Sequence, residues 1–153
     1  MPLPPPKREY PDAPLVGVGA VIIEDDRVLL IKRGQPPLAG QWSIPGGLLE
    51  VGETVRATAI REAFEEAGLV VEALDLLGVF DRVLPDGEGR TQYHYVLIDF
   101  LCRRVSGEIR AGDDAAEARW FQRGEVRDLG LAKDTGEVIE LGFERANRGA
   151  RRW

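Results

Sequence analysis

Cysteine is almost missing from this chain. Cys102 stands alone among 153 residues, so no intrachain disulfide can form and a thiolate-built zinc site is not expected. A reducing, cytoplasmic setting fits that usage. Long apolar runs are missing too. None approaches the roughly 20 residues that span a bilayer, and no membrane partner is expected. The opening MPLPPPKREYPDAP has no apolar core of the kind a secretory signal carries. Excess positive charge is the third absence. A formal charge of −6 argues against a protein that grips nucleic acid through its phosphates. It leaves room for a small phosphorylated ligand, because carboxylates hold an anion once divalent cations lie between them.

What is present suits one globular domain: 44% of residues are hydrophobic and 30% charged, and the length allows a real core. The first 14 residues hold six prolines. Residues 1–14 therefore read as an extended arm, either a disordered tail or a segment lying on a partner subunit. Residues 15–148 read as the domain and 149–153 as a loose tail. Val16–Ile23 and Arg27–Lys32 flank the acidic turn Glu24-Asp25-Asp26, which predicts a hairpin. Residues 38–47 are punctuated by glycine and proline and predict a loop around a short strand. Thr54 to Ala67 predicts a helix, with Thr54 as N-cap and Gly68 where a left-handed C-terminal cap belongs. Strands are expected over 70–82, 92–105 and 117–121, a turn over 84–90 and a closing helix over 136–147. The mixture predicts an α/β fold, a mixed sheet covered by helices.

The first helix carries the chemistry. With Glu62 at zero and 100° per residue, Glu66 falls at about 40° and Glu65 at about 300°. Ala63, Ala67, Ile60 and Phe64 fall between about 100° and 200°. Core on that side and three carboxylates on the other is the expectation. Like charges three and four residues apart repel on an isolated helix, so something must offset them. A solvated acidic face is the bland alternative.

The surrounding spacing decides between the two. Gly47-Leu-Leu-Glu-Val-Gly-Glu53 is followed, after seven residues, by Arg61-Glu62-Ala63-Phe64-Glu65-Glu66-Ala67-Gly68-Leu69. This resembles the Nudix box with every fixed position filled: Gly47, Glu53, Arg61, Glu62, Glu65, Glu66 and Gly68. The resemblance implies a Nudix-type α/β/α sandwich with a loop–helix–loop catalytic element, and a hydrolase that cleaves a diphosphate linkage in a small nucleotide. It implies Mg²⁺ or Mn²⁺, which suits hard oxygen ligands. Glu62 and Glu66 would share one ion, Glu65 would hold a second ion or a bound water, and Gly46 or Gly47 would add a carbonyl. Arg61 has two readings: a salt bridge to Glu53 that ties loop to helix, or a group that orients Glu62. Glu53 and Gly68 are expected to be structural. The general base is open between Glu62 and a later acid. The loop 112–120, with Asp113, Asp114 and Glu117, has a solvated turn as its bland reading. Asp114 is the expected auxiliary metal or water ligand, and Glu117 reads as a partner of Arg119 or of a neighbour near the strand entry.

Outside the box, Arg33 is a candidate phosphate contact, whereas Lys32 reads as solvent-facing and His94 as structural. Phe80 and Tyr93 are candidate base-stacking residues, although strand aromatics more often pack. Pro85 lies sixteen residues after Leu69. ADP-ribose pyrophosphatases of the family resemble this chain in that spacing, which implies ADP-ribose as substrate. Proline is also an ordinary occupant of a turn such as Leu84-Pro-Asp-Gly. An oxidised or ordinary nucleoside triphosphate is the second expectation, a non-catalytic nucleotide-binding module the third, and a homodimer the expected assembly.

Overall fold

The computed structural model describes residues 4–36, 38–112 and 115–149. The predicted hairpin forms from β1 (Leu15–Glu24) and β2 (Arg27–Arg33), antiparallel, with Asp25 in the left-handed region at φ 56°. Short strands β3 (Trp42–Ser43) and β4 (Gly46–Leu48) follow, then helix α1 (Val55–Ala67). Long strands β5 (Val70–Pro85) and β6 (Thr91–Ser106) make a second antiparallel hairpin. Strand β7 (Ala115–Gln122), a 3-10 turn over Arg123–Leu129 and helix α2 (Lys133–Gly149) complete the order. The sheet runs β3-β2-β1-β6-β5, with β4 added to β1 and β7 to β2. Among the described residues only β1 and β6 pair in parallel, so the sheet is mixed.

Strand periodicity explains the two layers. Along β1 successive side chains point to opposite faces. Val18, Ala20 and Ile22 join Ala59, Ala63 and Ala67 of α1 in one core, while Val21 and Ile23 join Val138, Ile139 and Phe143 of α2 in the other. A strand covered on both faces reads as a continuous apolar run, and β1 does.

Three expectations need correction. Ile60 and Phe64 are 38% and 48% exposed, while Thr58, Ala59 and Glu66 are buried. The buried arc of α1 is therefore turned toward the carboxylates, because small alanines let the helix sit close to the sheet and bring Glu66 down with it. The turn after β5 is shorter than predicted. Leu84 and Pro85 stay in the ladder opposite Tyr93 and Thr91, and Asp86 Oδ1 closes the turn by accepting from the amides of Glu88 (2.8 Å) and Arg90 (2.9 Å). Helix α2 starts three residues early, where the Asp134 carboxylate accepts the Thr135 amide at 2.9 Å. The 3-10 turn was not foreseen.

Tyr10, in the arm, donates its amide to Gln92 O at 2.7 Å and its hydroxyl to Asp86 Oδ2 at 2.7 Å. That part of the arm lies on the β5–β6 hairpin of its own chain.

Candidate functional site

Helix α1 starts and stops as its sequence dictates. Thr54 Oγ1 accepts from Ala57 N at 3.1 Å, and Gly68, at φ 76°, donates its amide to Phe64 O at 2.9 Å. Between those caps Arg61 gathers the acids. Its Nε and Nη2 donate to the two oxygens of Glu53 at 2.7 and 2.9 Å. Nη1 donates to Glu62 at 2.7 Å and to Glu65 at 3.1 Å, and Nη2 also reaches Leu48 O at 3.1 Å. Both readings of Arg61 thus have a geometric counterpart: one guanidinium ties the loop to the helix and fixes Glu62. Arg61 is the main cause that holds the Glu53 carboxyl down to about 2, helped by the Glu50 amide and the Thr58 hydroxyl.

Glu66 is buried at the inner edge of this group and accepts the Gly46 amide at 3.0 Å. Burial, then a hydrogen bond with Glu62, pushes its carboxyl above the usual range. Gly47 faces Glu62 so closely that a Cβ there would collide with the carboxylate. Only glycine leaves that space. Among the described residues no three His, Cys, Asp or Glu side chains converge into a ready metal cage: Arg61 stands between Glu62 and Glu65.

These carboxylates open into a cavity of about 570 Å³. Gly47, Glu62, Glu65, Glu66 and Arg33 line it. Arg33 is buried enough to lower its basicity, offset by the nearby Glu66 charge. Asp114, like Asp113, lies outside the described residues; its flank Gly112 donates to Glu66 O at 3.3 Å. Glu117 is exposed opposite Lys32 in the β2–β7 ladder, and Arg119 lies over the Phe121 ring at 4.3 Å. Phe80 packs with the α2 core and is not among the cavity's lining residues. Pro85 is exposed at the end of β5, paired with Thr91, and likewise does not line the cavity. A contact from Pro85 to a ligand there is not part of this geometry. Tyr93 and His94 sit in the ladder opposite Leu84 and Val83.

Sequence reasoning missed the opposite wall. Tyr95, Leu97 and Asp99 of β6 line it with Arg82, Asp134 and Thr135. Arg82 Nη2 donates to Asp134 Oδ1 at 2.6 Å. Asp99 is buried, and burial, with the Asp134 charge behind it, raises its carboxyl to about 7. The available signal was an acid inside the apolar run Val96-Leu-Ile-Asp-Phe-Leu101, since a charged side chain is seldom fully buried without a role.

Comparison with known proteins agrees with this architecture. Residues 13–141 match the NUDIX domain family. The ADP-ribose pyrophosphatase of Methanocaldococcus jannaschii is 43% identical over 127 residues, spanning 83% of this chain and 72% of that protein. The 8-oxo-dGDP phosphatase NUDT18 of Mus musculus is 33% identical over 123 residues, 78% of this chain and 35% of that protein. The crystal structure of a MutT NUDIX hydrolase from Burkholderia pseudomallei superposes with a TM-score of 0.71 at 34% identity, covering 85% of this chain and 98% of that one. A filled carboxylate box on a capped helix, a mixed sheet between two helices, and a family match over most of the length lead to one assignment: the chain belongs to the Nudix hydrolases, enzymes acting on pyrophosphate bonds.

Proposed function

We propose that this enzyme hydrolyses the diphosphate linkage of ADP-ribose to AMP and ribose 5-phosphate, with Mg²⁺ or Mn²⁺. The observation that carries the substrate is the 43% identity to an ADP-ribose pyrophosphatase over most of both chains. The cavity supports it, since about 570 Å³ extends from the carboxylates to a polar wall and leaves room beyond the two phosphates.

The residues fit a divalent cation by donor chemistry. Glu62 and Glu66 are adjacent hard oxygen donors, Gly47, lacking a Cβ, admits the Glu62 carboxylate against its backbone, and Glu65 completes the set. Bound there, the ion neutralises the diphosphate and stabilises charge on the departing phosphate oxygen. The chain's own groups do the rest. Arg61 holds Glu62 in one orientation. The Gly46 amide holds Glu66. Arg33 offers a phosphate a second cation. Water adds its oxygen to one phosphorus as the bridging oxygen leaves with the other phosphate; its protons pass to a carboxylate base and on to solvent. Asp114 is the proposed auxiliary on the later loop, with Glu62 as the base if Asp114 is dispensable. A cytoplasmic, homodimeric enzyme belongs to the same reading.

A second substrate class has an observation of its own. The similarity to an 8-oxo-dGDP phosphatase supports an oxidised nucleotide or a nucleoside triphosphate. The deciding experiment is a panel of ADP-ribose and nucleoside triphosphates with Mg²⁺, read by product identity. ADP-ribose should show the highest kcat/KM, and exhaustive chelation should abolish turnover. A triphosphate with the higher kcat/KM would overturn the substrate, and turnover that survives chelation would overturn the metal.

A further inference from the structure

The wall opposite α1 is built with more care than a passive surface needs. Asp99 is 6% exposed, yet it lines the cavity and accepts the Gly19 amide. Its carboxylate lies so close over β1 that a Cβ at Gly19 would collide with Oδ1. Glycine at 19 is therefore what admits Asp99. Asp134 stands nearby, held by Arg82 and carrying the Thr135 amide. Burying one carboxyl beside another costs stability unless a ligand or partner offsets it. A second unfilled group lies on the same strand face. Tyr95 is also 6% exposed and lines the cavity, and its hydroxyl has no hydrogen-bond partner among the described residues.

Charge orients the ligand. Asp134 takes up the charge of Arg82, and Asp99 adds no positive charge, so this wall does not attract phosphate, whereas the other end offers Arg33 and the box glutamates with their cations. A neutral group rich in hydroxyls fits the acidic end, since hydroxyls donate to carboxylates as ribose does to an acid in dinucleotide sites. We propose that Asp99, with Asp134 beside it and Tyr95 further along β6, forms the subsite for the ribose beyond the diphosphate. This rests on the reading of the ligand as ADP-ribose.

Binding tests the subsite apart from turnover. Calorimetric titrations with Mg²⁺ compare ADP-ribose with the β-methyl ester of ADP, which carries the same charge and lacks the terminal ribose, both as non-hydrolysable α,β-methylene analogues. The wild-type chain should bind ADP-ribose about tenfold more tightly than the ester. Asp99→Ala should remove most of that preference and leave the ester within about twofold. Tyr95→Phe, nearly isosteric, should narrow it by about threefold. Equal binding of both ligands by the wild type overturns the subsite. So do variants that weaken both ligands by the same factor, which would put Asp99 against the shared adenosine or make it merely structural. Hydrolysis with Mg²⁺ is assayed separately. Preference for ADP-ribose in binding without its cleavage would end the functional reading alone; cleavage without ribose-dependent preference would end the subsite alone.

Discussion

Asp99 holds a proton in the folded chain that it gives up when unfolded. Its carboxyl is raised to about 7 by burial and by Asp134, against the lowering effects of Arg82 and the Gly19 amide. The folded state therefore binds more protons than the unfolded state between the ordinary aspartate value and about 7. That contribution to stability is complete at low pH and is lost as pH rises through 7. Asp99→Asn removes the titration and keeps the shape. The stability of the variant relative to wild type should rise between pH 4 and pH 8, by on the order of 4 kcal/mol at most. Denaturant melts of both proteins at the two pH values check it. A constant difference would mean that Asp99 is ionised in the folded chain. Glu66 makes a second residue-scale prediction. Glu66→Gln keeps the volume and the Gly46 contact but removes charge from the proposed ion site, so turnover should fall by orders of magnitude with the fold intact. A near-normal rate in a folded variant would move the metal site elsewhere.

At the scale of the element, α1 and its preceding loop behave as one piece because Arg61 joins them. Glu53→Gln loosens the loop side of Arg61 and leaves its bonds to Glu62 and Glu65. The variant should be less stable by about 1.5–3 kcal/mol at neutral pH, the usual range for a hydrogen bond to a charged group. The Glu53 carboxyl is held down to about 2, below its unfolded value. Its contribution is thus present above the ordinary glutamate range and lost as pH falls toward 2. Melts at pH 7 and pH 3 should show the gap between the two proteins narrowing in acid; a gap of unchanged size at pH 3 would assign the loss to packing. The helix, its caps and the first hairpin were legible because each rests on local chemistry: a threonine oxygen, a left-handed glycine, alternating apolar residues. The box carboxylates were legible by spacing. The direction of the helix's buried arc was not, since Ala59 and Thr58 count as weak apolar signals yet meet the sheet. Nor was the opposite wall, which takes Arg82 from β5, Asp99 from β6 and Asp134 from α2, residues that no short window joins. Pro85 is the converse case: its spacing is local, while which residues of β5 line the cavity, Arg82 but not Pro85, is set by the pairing with β6.

For the whole molecule, assembly is the open property with a physical handle. Among the described residues, edge strand β5 leaves Leu76, Val79 and Val83 exposed, and apolar groups on a long edge invite pairing. Sedimentation equilibrium should give the mass of a homodimer, and lysine at both Val79 and Val83 should return it to the monomer mass. A wild-type monomer would end the homodimer expectation. The alternation along β1 has a wider consequence. Gly17 and Gly19 face Leu97 and Asp99 on one side of β1, while Ala20, Ile22 and Val18, which also reaches the cavity, sit under α1, all in one parallel register with β6. A slip of one residue would swap these sets, driving valine and alanine into the cavity and leaving gaps beneath the helix. Misfolding in this strand therefore cannot hide as a sturdy but inactive enzyme. Any chain that folds to full stability has, by the same pairing, already cleared the space its substrate needs.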